Sequence, residues 1–191
     1  MNWQPRHRLA LAVEVHEPAR AALAHALAPL RATYLGVNWV PDEHWYVDLC
    51  EFGALEDREA DQVDAETDAL AGALPQLSLR LDGGIGVLSS GTLFAGVEES
   101  LAFAELQSAV VSHFDERGPM PTRTEALPGC VIGRVPGGGG LPAASLRSFR
   151  GPLVAWTARR LVVVCTRLRL GGVVVEERSV RPFGRPVATR S

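Results

Sequence analysis

The run Arg8–Val15 (RLALAVEV) alternates and is rich in branched residues, which is the period of a half-buried strand. Pro18 then opens PARAALAHALAPLRA, where Ala and Leu recur at helical spacing. A strand and a helix each bury one face only, so this opening obliges the chain to build a second layer. The pattern continues. Asn38–Phe52 holds Trp39-Val40-Pro41, a turn at Asp42-Glu43 and a strand from about Trp45 that Gly53 ends. Leu55–Leu74 reads as an acidic helix with a solvated outer face. Leu77–Leu81 reads as a strand, Asp82-Gly83-Gly84 as a turn, and Thr92–Val97 as another strand. Ser100–Arg117 has apolar residues at Leu101, Phe103, Leu106, Val110, Val111 and Phe114, a helix with Ser100 as its cap. Cys130–Val135 is a short strand and Gly137–Gly140 a flexible loop. Leu161–Cys165 and Val173–Val175 are strands joined at Gly171-Gly172, and Pro182–Ser191 is a tail. The result is an α+β pattern with two similar halves, and a groove between such halves is the natural ligand site.

Composition narrows the chemistry. The chain has 191 residues, the size of one domain or of two small lobes sharing a core. All 19 basic residues are Arg, a usage that points to a GC-rich, bacterial genome. Without Lys there is no Schiff-base chemistry of the ordinary pyridoxal-phosphate kind, no covalent Lys adduct for nucleotidyl transfer and no Walker A lysine. Three scattered cysteines, Cys50, Cys130 and Cys165, do not make a disulfide framework, and they fit the cytoplasm. Glu14, His16 and Glu17 interrupt the first apolar run, so it reads as a strand and not as a signal peptide. No run is long enough to span a membrane. His7, His16, His25 and His113 show no ligand spacing, so no metal is expected, and no cofactor either.

Charge is unevenly spread. Residues 1–100 hold 6 Arg against 16 acids, whereas residues 101–191 hold 13 Arg against 6 acids. The halves either complement each other or present a basic face to nucleic acid through Arg147, Arg150, Arg159, Arg160, Arg167, Arg169, Arg178 and Arg181. Complementarity is the favoured reading, because Arg is the chain's only basic residue.

The stretch Trp39-Val40-Pro41-Asp42-Glu43-His44-Trp45-Tyr46-Val47-Asp48-Leu49-Cys50-Glu51-Phe52-Gly53 is one of several that together resemble a known family. The others are Leu93-Phe94-Ala95-Gly96-Val97-Glu98, Pro128-Gly129-Cys130-Val131-Ile132-Gly133-Arg134-Val135 and the closing hairpin Arg160–Phe183. In order and spacing, residues 6–184 resemble the 2H phosphoesterases, in their RNA 2′,3′-cyclic phosphodiesterase (2′-5′ RNA ligase-like) branch. The resemblance implies one domain over 1–184, with a tail at 185–191. It also implies two pseudo-symmetric lobes whose antiparallel sheets face a central groove, with helices outside.

The family uses two His-x-Thr motifs on facing strands, one His as general base and the other as general acid. The positions that correspond are Tyr46-Val47-Asp48 and Gly129-Cys130-Val131, so both histidines and both threonines are missing. Each lost acid or base removes about 10²–10⁴-fold of rate. Catalysis of the family type is therefore expected to be weak or absent. Tyr46 and Asp48 keep proton-exchanging groups at the first motif, while Gly129 and Val131 keep none at the second. His44, two residues before the first motif, is on its face by strand parity. Ligand contacts are expected from His44, Trp39, Glu51 and Arg134, with Arg134 also a structural partner for Asp48 or Glu51. Trp39, Trp45 and Trp156 are candidates for stacking or for packing at a lobe edge. Cys130 is expected to be a buried thiol facing away from the groove.

The leading expectation is a pseudoenzyme that binds a protein partner or a nucleotide-like ligand. The alternatives are a repurposed enzyme using Tyr46 and Asp48 on a non-phosphodiester substrate, and a phosphodiesterase with residual activity.

Overall fold

The computed structural model describes residues 7–88, 90–122, 129–136, 148–169 and 172–184. The elements run β1 (His7–Glu14), α1 (Ala19–Thr33), β2 (Asn38–Trp39), a 3-10 turn (Asp42–His44), β3 (Tyr46–Leu55) and α2 (Asp57–Ala71). Then follow β4 (Leu77–Val87), β5 (Thr92–Val97), α3 (Leu101–Arg117), β6 (Gly129–Arg134), β7 (Ala155–Ala158), β8 (Arg160–Arg169) and β9 (Gly172–Pro182). The class is α+β, as the sequence leads one to expect.

All strand pairings are antiparallel, in the order β7-β4-β5-β6-β3-β1-β8-β9, with β2 added to β6. One half is β3-β1-β8-β9 and the other is β7-β4-β5-β6. They meet where Val47 of β3 pairs with Cys130 of β6. The two sheets are therefore joined edge to edge into one curled sheet.

One face of this sheet is the core. α2 packs on β1, β8 and β9, and α3 on β3 and β4. On α1, Leu23 approaches Leu81 of β4 and Ala95 of β5. Ser100 caps α3 by accepting the Phe103 amide, as its position before the helical pattern predicts. Phe114 of α3 meets Phe52 of β3 edge to face at 4.7 Å. The opposite sheet face carries a smaller cluster of Ala12, Tyr46, Val162 and Val164.

The structure departs from the sequence reading in several places, among them the end of β9, which runs to Pro182 where a tail is expected. Gly53 does not end β3. It sits inside the strand at a register shift, with φ +73° and Thr122 packed against it. Asp82-Gly83-Gly84 is likewise a shift within a longer β4 and not a turn between strands. β7 has no signature in the sequence, because Trp156 and Ala158 are too few to show a period. Gly137–Gly140, Arg147, Gly171 and residues 185–191 lie outside the described residues.

The acidic face of α2 is not simply solvated. Arg178 of β9 bonds Asp61 and Asp64, Arg181 pairs with Asp68, and Ser179 donates to Asp64. Glu66 meets His113 of α3 at 3.0 Å. Arg160 pairs with Glu14 across the two halves of the sequence. The uneven charge is thus matched internally at three of the arginines.

Phe114 is fully buried and Leu101 is 76% exposed on the same helix. Phe114→Ala is expected to cost about 3–5 kcal/mol by loss of transfer energy and cavity formation. Leu101→Ala should change stability by less than about 0.5 kcal/mol. Urea unfolding of the two variants checks both values.

Candidate functional site

The site is the sheet face opposite the helices, centred where β3 meets β6. With Val47 opposite Cys130, antiparallel pairing sets Tyr46 across from Val131 and Asp48 across from Gly129. The two motif triplets therefore face each other in register. Val47 and Cys130 point into the core and are fully buried. The other four positions belong to the groove face.

Three bulges decide which further side chains reach that face. On β3, Leu49 and Phe52 are the extra residues, so Ala12 pairs with Asp48 and Ala10 with Glu51. Tyr46, Asp48 and Glu51 thus share the groove side although 48 and 51 have opposite parity. On β6, Ile132 is the extra residue between the pairs Phe94–Val131 and Leu93–Gly133. Arg134, opposite Thr92, returns to the side of Val131 and Phe94. Simple alternation would have turned Glu51 and Arg134 away.

Tyr46 does not project into the groove. It is 6% exposed, and its hydroxyl donates to Glu177 Oε1 at 2.7 Å. Glu177 stands on β9, beyond β1 and β8, so the side chain is directed across the sheet, where it clusters with Ala12, Val162 and Val164. Ala12 is small enough to pass beneath it. Burial first, then the Glu177 hydrogen bond and charge, push the Tyr46 phenol far above its ordinary value. Glu14, buried on the same face, is held by Arg160 Nε at 2.8 Å, and its carboxylate raises the Arg160 guanidinium further.

The other half of the groove face is paved differently. Gly86 of β4 pairs with Phe94 of β5, and Gly96 of β5 pairs with Gly129 of β6. The Phe94 ring covers the Cβ directions of both Gly86 and Gly129. The Asp82 carboxylate lies over Gly96 and accepts the Gly84 amide at 2.7 Å. The groove face thus carries Asp48, Glu51, Asp82, Glu98, Glu14 and Glu177, set against Arg8, Arg80, Arg134 and Arg160, with Arg80 paired to Glu98 and Arg160 to Glu14.

Other candidates are placed elsewhere. His44 lies in the 3-10 turn, so strand parity does not orient it. Its Nδ1 is buried without a hydrogen-bond partner among the described residues. Trp39 donates to the Tyr34 carbonyl at 3.3 Å and, with Trp45, lies beside the Arg31 guanidinium. Trp45 and Trp156 are core residues, and the Trp156 indole donates to the Glu14 carbonyl. All three cysteines are buried. Burial pushes the Cys50 thiol up to about 12 and the Cys130 thiol well above its ordinary value. Among the described residues no group of three or more His, Cys, Asp and Glu could hold a metal ion. Among them, too, no helix is long and apolar enough to cross a membrane.

Sequence reasoning misses Glu14, Glu177, Phe94 and Asp82 as parts of this face. Glu14 shares parity with Ala10 and Ala12, a usable signal. Glu177 is hidden because the apolar pattern of β9 runs only as far as Val175.

Tyr46 yields a test. The phenol's folded value is raised, so its contribution to stability is complete below its unfolded value, about 10. That contribution is lost as pH rises toward the folded value. Tyr46→Phe should cost about 1 kcal/mol at pH 8 through loss of the Glu177 hydrogen bond. Above pH 10 the wild type should lose this advantage over the variant, as urea unfolding at pH 8 and pH 10.5 would show.

No family model matches the chain, and no curated protein matches it in sequence. Solved structures do match in fold. TT0787 of Thermus thermophilus superposes with TM-score 0.73 at 22% identity, covering 93% of this chain and 98% of that one. E. coli LigT in apo form gives 0.67 at 16% identity, covering 92% and 96%. The MHV ns2 PDE domain gives 0.52 at 13% identity, covering 92% and 100%. The chain has the 2H phosphoesterase-like fold that its element order resembles.

Proposed function

We propose that this chain is a catalytically degenerate 2H phosphoesterase-like protein, a pseudoenzyme whose groove binds a partner and does not cleave phosphodiesters. One observation carries the reading. At the paired positions 46/48 and 129/131 there is no acid–base couple. Tyr46 is directed across the sheet and held protonated, and Gly129 and Val131 have no group that exchanges a proton. A repurposed enzyme using Tyr46 would need a phenol poised near the working pH, and burial moves it the other way. Asp48, Glu51, Asp82 and Glu177 on the groove face oppose a phosphate anion. They favour a protein partner presenting basic side chains, and an acidic face of this kind also suits rapid electrostatic encounter.

A nucleotide-like ligand is the second reading. It is favoured by Arg134, which the β6 bulge returns to the groove side. Structures of E. coli LigT complexed with NADP+, ATP, 3′-AMP and phosphate make nucleotides reasonable probes for this chain. Nucleic-acid binding through the arginines is weaker, since Arg160, Arg178 and Arg181 already pair with carboxylates.

Phosphorus NMR of a 2′,3′-cyclic nucleotide with near-stoichiometric protein tests the proposal. No monoester should form over many hours. Conversion to a monoester that disappears in Asp48→Ala would overturn the pseudoenzyme reading. A shift or broadening without conversion would select the nucleotide-like ligand over the protein partner.

A further inference from the structure

We infer that Phe94 locks the second motif position in its empty form: its ring fills the space that any side chain at position 129 would need. This rests on the degenerate-site reading and adds a cause for its persistence. A Cβ built on Gly129 would stand 2.8 Å from Phe94 Cδ2 and 2.9 Å from the Ala95 carbonyl oxygen. Contacts that close force a shift. The ring also covers Gly86, the residue directly across the β4–β5 pair, where a Cβ would meet the ring tip still more closely. Phe94 is the cross-strand cover of Gly86, the arrangement in which an aromatic side chain compensates a glycine in a sheet.

The three residues therefore form one packing unit spanning β4, β5 and β6. Gly86 admits the ring, the ring occupies the volume above Gly129, and Gly129 is confined to hydrogen. Position 129 faces Asp48 across the join of the two halves, so this unit sets what the groove can hold there. Refilling position 129 alone meets both the Phe94 ring and the Ala95 carbonyl. Shrinking Phe94 alone exposes Gly86 and leaves position 129 without a functional group. Gain of a second catalytic side chain thus requires at least two coupled changes, each unfavourable by itself.

The test is a double-mutant cycle of Gly129→Ala and Phe94→Ala, read as urea midpoints of the full chain. Each single variant should unfold at lower urea than wild type. The double variant should lose clearly less than the sum of the two losses. Rescue should be partial, because the Ala95 carbonyl remains close. Additive losses would overturn the inference. Gly86→Ala with Phe94→Ala gives a second cycle should Gly129→Ala not fold, and it should show the same sign of coupling. Additivity there would equally overturn it. Wild-type protein is assayed on 2′,3′-cyclic AMP alongside. Hydrolysis by wild type would sink the pseudoenzyme reading, whereas additive cycles without hydrolysis would sink only the role of Phe94.

Discussion

Val47 and Cys130 form the pair through which β3 and β6 join, and the arrangement of the groove depends on it. Both side chains are fully buried on the helix side. Their pairing fixes the register of two triplets 83 positions apart, and strand geometry then turns Tyr46, Asp48, Gly129 and Val131 to the opposite face. A slip of one residue at this join would bury Asp48 and expose Val47 and Cys130. The apolar core shared by the three helices opposes such a slip, so the packing under the sheet is what holds the groove in register.

On the proposed reading, packing residues stand at positions 46 and 129, where the resemblance implies reactive ones. Tyr46 meets Glu177 across the two strands β1 and β8, and it packs on Ala12 and Val162. Phe94 does the corresponding work over glycines in the other half. Two aromatic rings thereby shield sheet surface that would otherwise be open to water. More of the remaining charged groups are carboxylates than arginines, and the Glu14–Arg160 pair also sits on this face. These features are physically consistent with a surface that recognises a partner. On the proposed reading they suit it less well to stabilising the spread negative charge of a phosphoryl transition state.

Much of this is legible from residues alone. Strict alternation in Leu77–Leu81 and the capped helix after Ser100 lead to the right elements. The triplets Tyr46-Val47-Asp48 and Gly129-Cys130-Val131, singled out from the sequence, are the ones that pair where β3 meets β6. What stays hidden has two physical origins. Bulges at Leu49, Phe52 and Ile132 change which residues share a face, and a one-dimensional period cannot register an extra residue. The face of Arg134 and the continuity of β3 through Gly53 both turn on such bulges. Long-range contacts are the other gap. No local pattern links Tyr46 to Glu177, or places the Phe94 ring over Gly129, because each depends on strands brought together by the complete sheet. The acidic helix α2 is the same case, since its partners on β9 lie more than 100 positions away in the chain.

The central claim is that both motif positions are closed by packing. A crystal structure of the protein grown with excess 2′,3′-cyclic AMP addresses it directly. We expect the Tyr46 ring to remain across Ala12, the Phe94 ring to remain between Gly86 and Gly129, and no phosphate to lie between positions 46 and 129. A cyclic phosphate bound at that point with either ring swung aside would contradict the account.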